Sequence, residues 1–289
     1  MVTIKTFFDK DTATLTYVVY DDVTKDAVMI DPVLNYDPAA SKYFTESVDN
    51  AVSFLKTNEL NLYYVFETHA HADHLSGAQF VKAEYPEAKI SIGAKIKDVQ
   101  KTFKHVFNFK EFNENGVQFD VLLKDSEVLT AGSLSIKVLN TPGHTPACVS
   151  YLINDEVVFT GDVLFMHDYG TGRCDFPGGS SEQMYDSVTE RLYTLPDQTR
   201  VFVGHDYLPG GREVQYESTI GQQKRLNPQL NGTISKESFV KNRDGRDRAL
   251  KAPRLLLQSL QVNIDAGILP DEEDNGSQYL KMPIGRRRD

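Results

Sequence analysis

Short apolar runs separated by polar turns occupy residues 3–31, where 14–20 and 27–30 are rich in β-branched and aromatic residues and Asp21-Asp22 lies between them, a pattern that predicts strands. From 39 to 56 the period lengthens, because Tyr43, Val48, Val52 and Leu55 recur at roughly helical spacing and predict a helix. Residues 62–66 then read as a strand, 75–84 as a helix, 89–92 as a strand and 94–103 as a short helix. From Val117 onward strands dominate, over 119–123, 127–129, 134–139, 149–153 and 156–160, with a further apolar run at 201–203. A helix is expected over 214–225, a polar stretch over 231–248 and an apolar-faced helix over 253–263. Alternation of helices and strands in the middle, with strands clustered on either side, places the chain in the α/β (α+β) class.

Composition narrows the setting. With 40% hydrophobic and 25% charged residues the 289-residue chain can bury a core of ordinary soluble type. A net charge of −10 excludes a general nucleic-acid or anionic-membrane binder, since phosphate surfaces would be repelled. The two cysteines, Cys148 and Cys174, form no disulfide framework and read as free thiols. The first residues carry no apolar signal core, and no uncharged apolar run of about eighteen residues occurs, so a cytoplasmic enzyme is expected and no membrane partner. The terminal Arg286-Arg287-Arg288 reads as a solvated tail.

The chemistry concentrates in Thr68-His69-Ala70-His71-Ala72-Asp73-His74, directly after an apolar strand. The chain has seven His, and three of them fall in this one stretch. Such a cluster predicts a metal site, with His69 and His71 converging on one side and Asp73 and His74 on the other, so that one segment serves two adjacent positions. Three further candidates follow apolar runs and adjoin a glycine: His144 in Pro142-Gly143-His144-Thr145, Asp162 in Thr160-Gly161-Asp162, and His205 in Gly204-His205-Asp206. Strand-end loops of α/β folds gather at one sheet edge, so four separate strand ends are expected to supply one site. His105, among Phe103, Phe107 and Phe109, is expected to be a packing or surface residue.

In order and spacing these motifs resemble the metallo-β-lactamase superfamily over roughly residues 10–230. The resemblance implies a four-layer αββα sandwich of two mixed sheets with helices outside, here a single domain over 1–289 in which 231–289 is a helical or irregular extension. Two branches share the ligands. A dinuclear zinc hydrolase of the glyoxalase II type would use His69, His71 and His144 on one ion, Asp73, His74 and His205 on the other, and Asp162 between them. A persulfide dioxygenase would bind one Fe(II) per chain through His69, His144 and Asp162, with His71, Asp73, His74 and His205 around them. Gly172-Arg173-Cys174-Asp175-Phe176 is similar to the dioxygenase Gly-Arg-Thr-Asp-Phe, with Cys174 in the third place, and His205-Asp206-Tyr207 is similar to its His-Asp-Tyr. The end of the chain, with Ala266-Gly267-Ile268-Leu269-Pro270, looks like the bacterial β-lactamase-like hydrolase type of persulfide dioxygenase.

The dioxygenase reading is therefore the leading expectation, with glutathione persulfide and O2 as substrates and sulfite and glutathione as products. The resemblance also implies a homodimer and a functional link to a rhodanese-type sulfurtransferase. Glutathione carries two carboxylates, so an acidic protein needs placed cations to hold it, and Arg173 and Arg225 are the candidates, with Tyr207 as a hydrogen-bond donor and Lys251 and Arg254 behind them. Cys174 beside Arg173 admits a nucleophile role, although a pocket-lining thiol fits better.

Overall fold

The computed structural model describes residues 2–285, so Arg286-Arg287-Arg288 lies outside the described residues. The chain opens with an antiparallel meander of β1 (Val2–Asp9), β2 (Thr14–Asp21) and β3 (Asp26–Ile30). A small hairpin of β4 (Val33–Asp37) and β5 (Lys42–Phe44) precedes α1 (Glu46–Thr57). The helix expected over 39–56 thus starts later. Asp37 Oδ1 accepts the N–H groups of Ala39 and Ala40 at 2.8 and 3.2 Å, and Ser41 takes φ +52°, which turns the chain into β5.

β6 (Asn61–Phe66) returns parallel to β3 and leads into the histidine motif. β7 (Leu75–Ser76) pairs with β4, so α2 spans only Ala78–Glu84 rather than starting at Leu75. β8 (Lys89–Gly93), α3 (Ile96–Phe107) and β9 (Val121–Leu123) follow, and the first sheet has the order β1-β2-β3-β6-β8-β9.

The second sheet runs in chain order through β10 (Val128–Ala131), β11 (Leu134–Asn140), β12 (Val149–Ile153), β13 (Val157–Phe159), β14 (Arg200–Phe202) and β15 (Glu217–Thr219). β13 and β14 are parallel, joined by a crossover that carries α4 (Ser181–Asp186), capped by Ser180 and continued as a π-helical turn over Ser187–Leu192. α5 (Ile220–Leu226) starts from a capping box of Thr219 and Gln222, so the helix expected over 214–225 is shortened by β15. α6 (Lys236–Asp247) occupies the stretch expected to be merely polar, because its buried face is Phe239 with Arg243 and Asp247 rather than an apolar stripe. α7 (Leu256–Asn263) is the apolar-faced helix expected there.

The sheets face each other through Tyr17, Val19, Ile30 and Phe66 from the first and Ile136, Tyr151, Phe159 and Phe202 from the second. Each such buried side chain contributes about 1.5–3 kcal/mol of burial. α1, α3 and α7 cover the other face of the first sheet through Leu55, Val99, Phe103 and Leu260, and Met184, Val188 and Phe239 join the second sheet's cluster. The result is the four-layer αββα sandwich of mixed sheets. Two core tyrosines tie it to the loops: Tyr151 donates to the carbonyl of Glu67 at 2.7 Å and Tyr17 to that of Val203 at 2.6 Å. Among the described residues no helix is long and apolar enough to cross a membrane.

Candidate metal centre

β3, β6, β11, β13 and β14 all end at the same edge of the sandwich, and the residues just beyond them are Asp31, the 67–74 motif, His144, Asp162 and His205. The two sheets are stitched together here, since Leu15 N–H donates to Gly204 carbonyl at 2.9 Å and Asp206 N–H to Ala13 carbonyl at 3.1 Å. Glycine lets the loops close on Asp162. A Cβ at Gly172 would stand 2.1 Å from the Asp162 carbonyl oxygen, and one at Gly204 would stand 2.9 Å from Asp162 Oδ1.

His69, His71, Asp73, His74, His144, Asp162 and His205 come together at this edge. The ring centroids of His69 lie 4.1 Å from His71 and 4.9 Å from His144, and those of His71 and His74 are 4.2 Å apart. His205 Nε2 stands 3.3 Å from both Asp73 Oδ2 and Asp162 Oδ1, and His144 Nε2 is 3.5 Å from Asp162 Oδ2. Two sets, His69 with His144 and Asp162, and His71 with Asp73 and His74, each bring their ligand atoms within 4.8 Å of one another.

The outward nitrogens are fixed by acceptors. His144 Nδ1 donates to Arg173 carbonyl at 2.7 Å and His205 Nδ1 to Ala13 carbonyl at 3.2 Å. Thr68 hydroxyl donates to Asp31 Oδ2 at 2.8 Å, which leaves its oxygen to accept from His69 Nδ1 at 3.0 Å. In each ring the proton is held away from the centre and the Nε2 lone pair faces inward. The Nε2 atoms of His69, His74 and His205 and the Oδ1 of Asp162 are buried with no hydrogen-bond partner. Orphaned lone pairs on buried imidazoles and a carboxylate fit a cation and little else, so the cluster is a metal-binding one.

Two residues that the motif pattern did not single out surround His71. Its Nε2 lies 3.0 Å from Asp31 Oδ1 and 3.3 Å from Glu67 Oε2, all three buried. Burial works to lower the His71 pKa, but Asp31 and Glu67 hold it well above the ordinary imidazole range. Burial pushes Glu67 up, whereas Asp31 is held low against burial by His71. Burial, with His71 and His144 adding to it, keeps His69 well below the usual range and so neutral. A third unforeseen residue is Asn263 at the end of α7, whose Nδ2 donates to the carbonyls of His71 and His74 at 2.8 Å each while its Oδ1 accepts from Ser76 N–H at 2.8 Å.

Beside His144 opens a cleft of about 230 Å³ walled by Phe176, Pro177, Leu250, Pro253 and Leu256, with Arg173 and Asp175 as its charged side chains. Arg173 thus lies at the site, though already paired: Nε and Nη2 donate to Asp175 at 2.5 and 2.6 Å and Nη1 to the carbonyl of Lys251 at 2.7 Å. Tyr207 also stands there, 45% exposed and stacked on His205 with centroids 5.5 Å apart. Arg225 does not. It is exposed near Gly221 and Asp197, and Asp197 precedes the amino end of β14, whereas His205 follows its carboxyl end. The place of Arg225 in the last turn of α5, the helix that follows His205 in the chain, does not bring it back to the site. Lys251 reaches the cleft through its backbone alone among the polar contacts described, and Arg254 borders a separate hollow with Asp11 and Asp37. His105 is exposed on α3 and His167 is half-buried after Asp162. Cys174 is buried, its N–H donating to Asp247 Oδ2 at 2.7 Å.

Comparison with known proteins agrees with this geometry. The chain is 45% identical over 282 residues to a Dictyostelium discoideum protein named glyoxylase B2, covering 97% of this chain and 96% of that one. It is 31% identical over 268 residues to the mitochondrial persulfide dioxygenase ETHE1 of Bos taurus, covering 92% and 89%. The crystal structure of ETHE1 from Myxococcus xanthus superposes with a TM-score of 0.73 at 33% identity, over 92% of this chain and 100% of that one. The sequence profile of the metallo-beta-lactamase superfamily matches residues 10–205, and with the sandwich and its edge-mounted His/Asp cluster this establishes that the chain belongs to the metallo-beta-lactamase superfamily.

Proposed function

We propose that the protein is an iron-dependent persulfide dioxygenase, which takes glutathione persulfide, O2 and water to glutathione and sulfite with release of two protons. The observation that carries the reading is the compact set of His69, His144 and Asp162, two imidazoles and one carboxylate. Those three side chains would hold an iron ion, the donor set of two imidazoles and a carboxylate being one that suits non-haem Fe(II). When bound, Fe(II) supplies the one-electron chemistry that lets O2 react with sulfur.

The chain's own residues do the rest. Arg173 carbonyl and Thr68 hydroxyl hold the rings of His144 and His69 with Nε2 turned inward. His144 borders the cleft, so a substrate sulfur arrives along its face. The apolar walls at Phe176, Leu250 and Leu256 keep water from the reacting sulfur. Asp73 and His205 lie beside that set, His205 Nε2 standing 3.3 Å from both Asp73 Oδ2 and Asp162 Oδ1. The similarity to the two ETHE1 proteins supports this branch, and a cytoplasmic setting suits two buried free thiols.

A zinc-dependent glutathione thioester hydrolase is the second reading. It is favoured by the second convergent set, His71 with Asp73 and His74, and by the relative named glyoxylase B2. Oxygen uptake by iron-loaded protein on addition of glutathione persulfide, with cleavage of S-lactoylglutathione by zinc-loaded protein in parallel, separates the two. Uptake of one O2 per sulfite, abolished in Asp162→Ala, is expected. Thioester cleavage without oxygen uptake would move the chain to the hydrolase branch.

A further inference from the structure

We propose that the Arg173–Asp175 pair in the cleft is a receptor for the amino-acid end of the substrate, Asp175 taking its α-ammonium and Arg173 its α-carboxylate. The inference rests on the glutathione part of the reading above and holds for either reaction. Apart from His144, which belongs to the metal cluster, the rest of the wall is apolar, so Arg173 and Asp175 are the charged side chains there that can recognise charge.

A cation alone would suit a lone carboxylate such as glutathione's glycine end. A cation and an anion side by side match the γ-glutamyl end, which carries an α-carboxylate and an α-ammonium on one carbon. Glutathione offers such a zwitterion to a chain of net charge −10, and binding it through a neutral pair adds no net charge to the site.

Capacity remains on both partners. Three of the five guanidinium N–H groups of Arg173 are engaged, two with Asp175 and one with Lys251 carbonyl, which leaves two for a carboxylate. Each Asp175 oxygen accepts one of these bonds and retains a lone pair for an ammonium. The side chains stay 21% and 38% exposed, unlike the Arg243–Asp247 pair behind the same loop at 3% and 4%. One pair is sealed in the interior and the other keeps an accessible edge in the cleft. Position agrees too, because Arg173 carbonyl holds His144, so the pair adjoins the place where the sulfur arrives.

The test is calorimetric titration of the metal-loaded protein with glutathione and with glutaryl-cysteinyl-glycine, which is glutathione without its α-ammonium. Wild-type protein is expected to bind glutathione about fivefold to tenfold more tightly. In Asp175→Asn, which keeps the size and an acceptor for Arg173, that ratio falls to near one while affinity for the deaminated ligand changes less than twofold. Asp175→Glu keeps the ratio well above one. A wild-type ratio of one, or an unchanged ratio in Asp175→Asn, overturns the inference and leaves glutathione chemistry standing. Absence of glutathione binding by the wild type, with no turnover of either glutathione substrate, overturns both. Should Asp175→Asn not fold, the wild-type ratio alone decides.

Discussion

Replacing Asp247 with alanine removes the counter-charge of a guanidinium that is only 3% exposed. Arg243 Nε donates to Asp247 Oδ1 at 2.9 Å and its Nη2 makes a second bond to the same oxygen, while Asp247 Oδ2 accepts the Cys174 N–H at 2.7 Å. The variant leaves Arg243 with Thr171 carbonyl and Gln229 Oε1, at 3.2 and 3.1 Å, both neutral acceptors. Breaking a buried pair from one side costs about 3–5 kcal/mol. At about 2–4 °C per kcal/mol for a chain of this class, Asp247→Ala is expected to melt roughly 10 °C lower by circular dichroism. The same loop presents the Arg173 carbonyl to His144 Nδ1, so ferrous affinity, read by chelator competition, should fall about 10-fold to 100-fold. Arg243→Met with Asp247→Leu replaces both charges by apolar volume and should recover most of the melting temperature. It does not restore the anchors on Thr171 and Cys174, so the metal affinity stays low. A single variant melting within about 2 °C of wild type would refute the energetic reasoning. A double variant with full metal affinity would show that the 171–174 loop holds His144 without help from α6.

Further expectations concern the centre and its supports. Asp162→Ala should abolish iron-dependent oxygen uptake, whereas Asp73→Ala, which lies outside the three-residue set, should retain a few per cent of it; equal loss in both would argue for two metals. Asn263→Ala removes three 2.8 Å bonds, to the carbonyls of His71 and His74 and from Ser76 N–H, and urea unfolding should show a loss of about 2–4 kcal/mol. A loss under about 0.5 kcal/mol would mean that the motif loop needs no buttress from α7. Burial pushes the Cys148 thiol up to about 12 and raises Cys174 as well, so neither should react with a thiol reagent in native protein at pH 8, and both should in denaturant. Because the unfolded thiols ionise first, they reduce stability as pH rises above about 9, and rapid native labelling of Cys174 would contradict the buried geometry.

The strands were legible because they carry dense β-branched and aromatic runs, the sandwich only through the resemblance that the ordered motifs carry, and the cluster because His144, Asp162 and His205 each follow such a run next to glycine. The same signal stood at Met29-Ile30-Asp31 and Val65-Phe66-Glu67. It went unread there because an acid after a strand is also an ordinary turn cap, and only the fold shows that both acids converge on His71. α6 was hidden for a different reason. A helix whose buried face is an ion pair with one phenylalanine has no apolar period to detect. Arg225 misled because sequence proximity to His205 says nothing of which end of β14 a side chain approaches.

What the letters of the motif leave open is which nitrogen of each histidine faces the centre, and that turns on its partner. His69, His144 and His205 are held at Nδ1 by neutral oxygens, those of Thr68, Arg173 and Ala13, and so present Nε2. His71 is the exception, since its Nε2 faces the carboxylates of Asp31 and Glu67. Both of its ring nitrogens are buried without a hydrogen-bond partner. Asp31 is held low while His71 and Glu67 are held high, so the charge on each acid and the His71 proton depend on one another. A cation beside His71 would favour loss of its proton. Whether His71 can serve as a ligand thus turns on a proton governed by Asp31 and Glu67, which the motif does not contain.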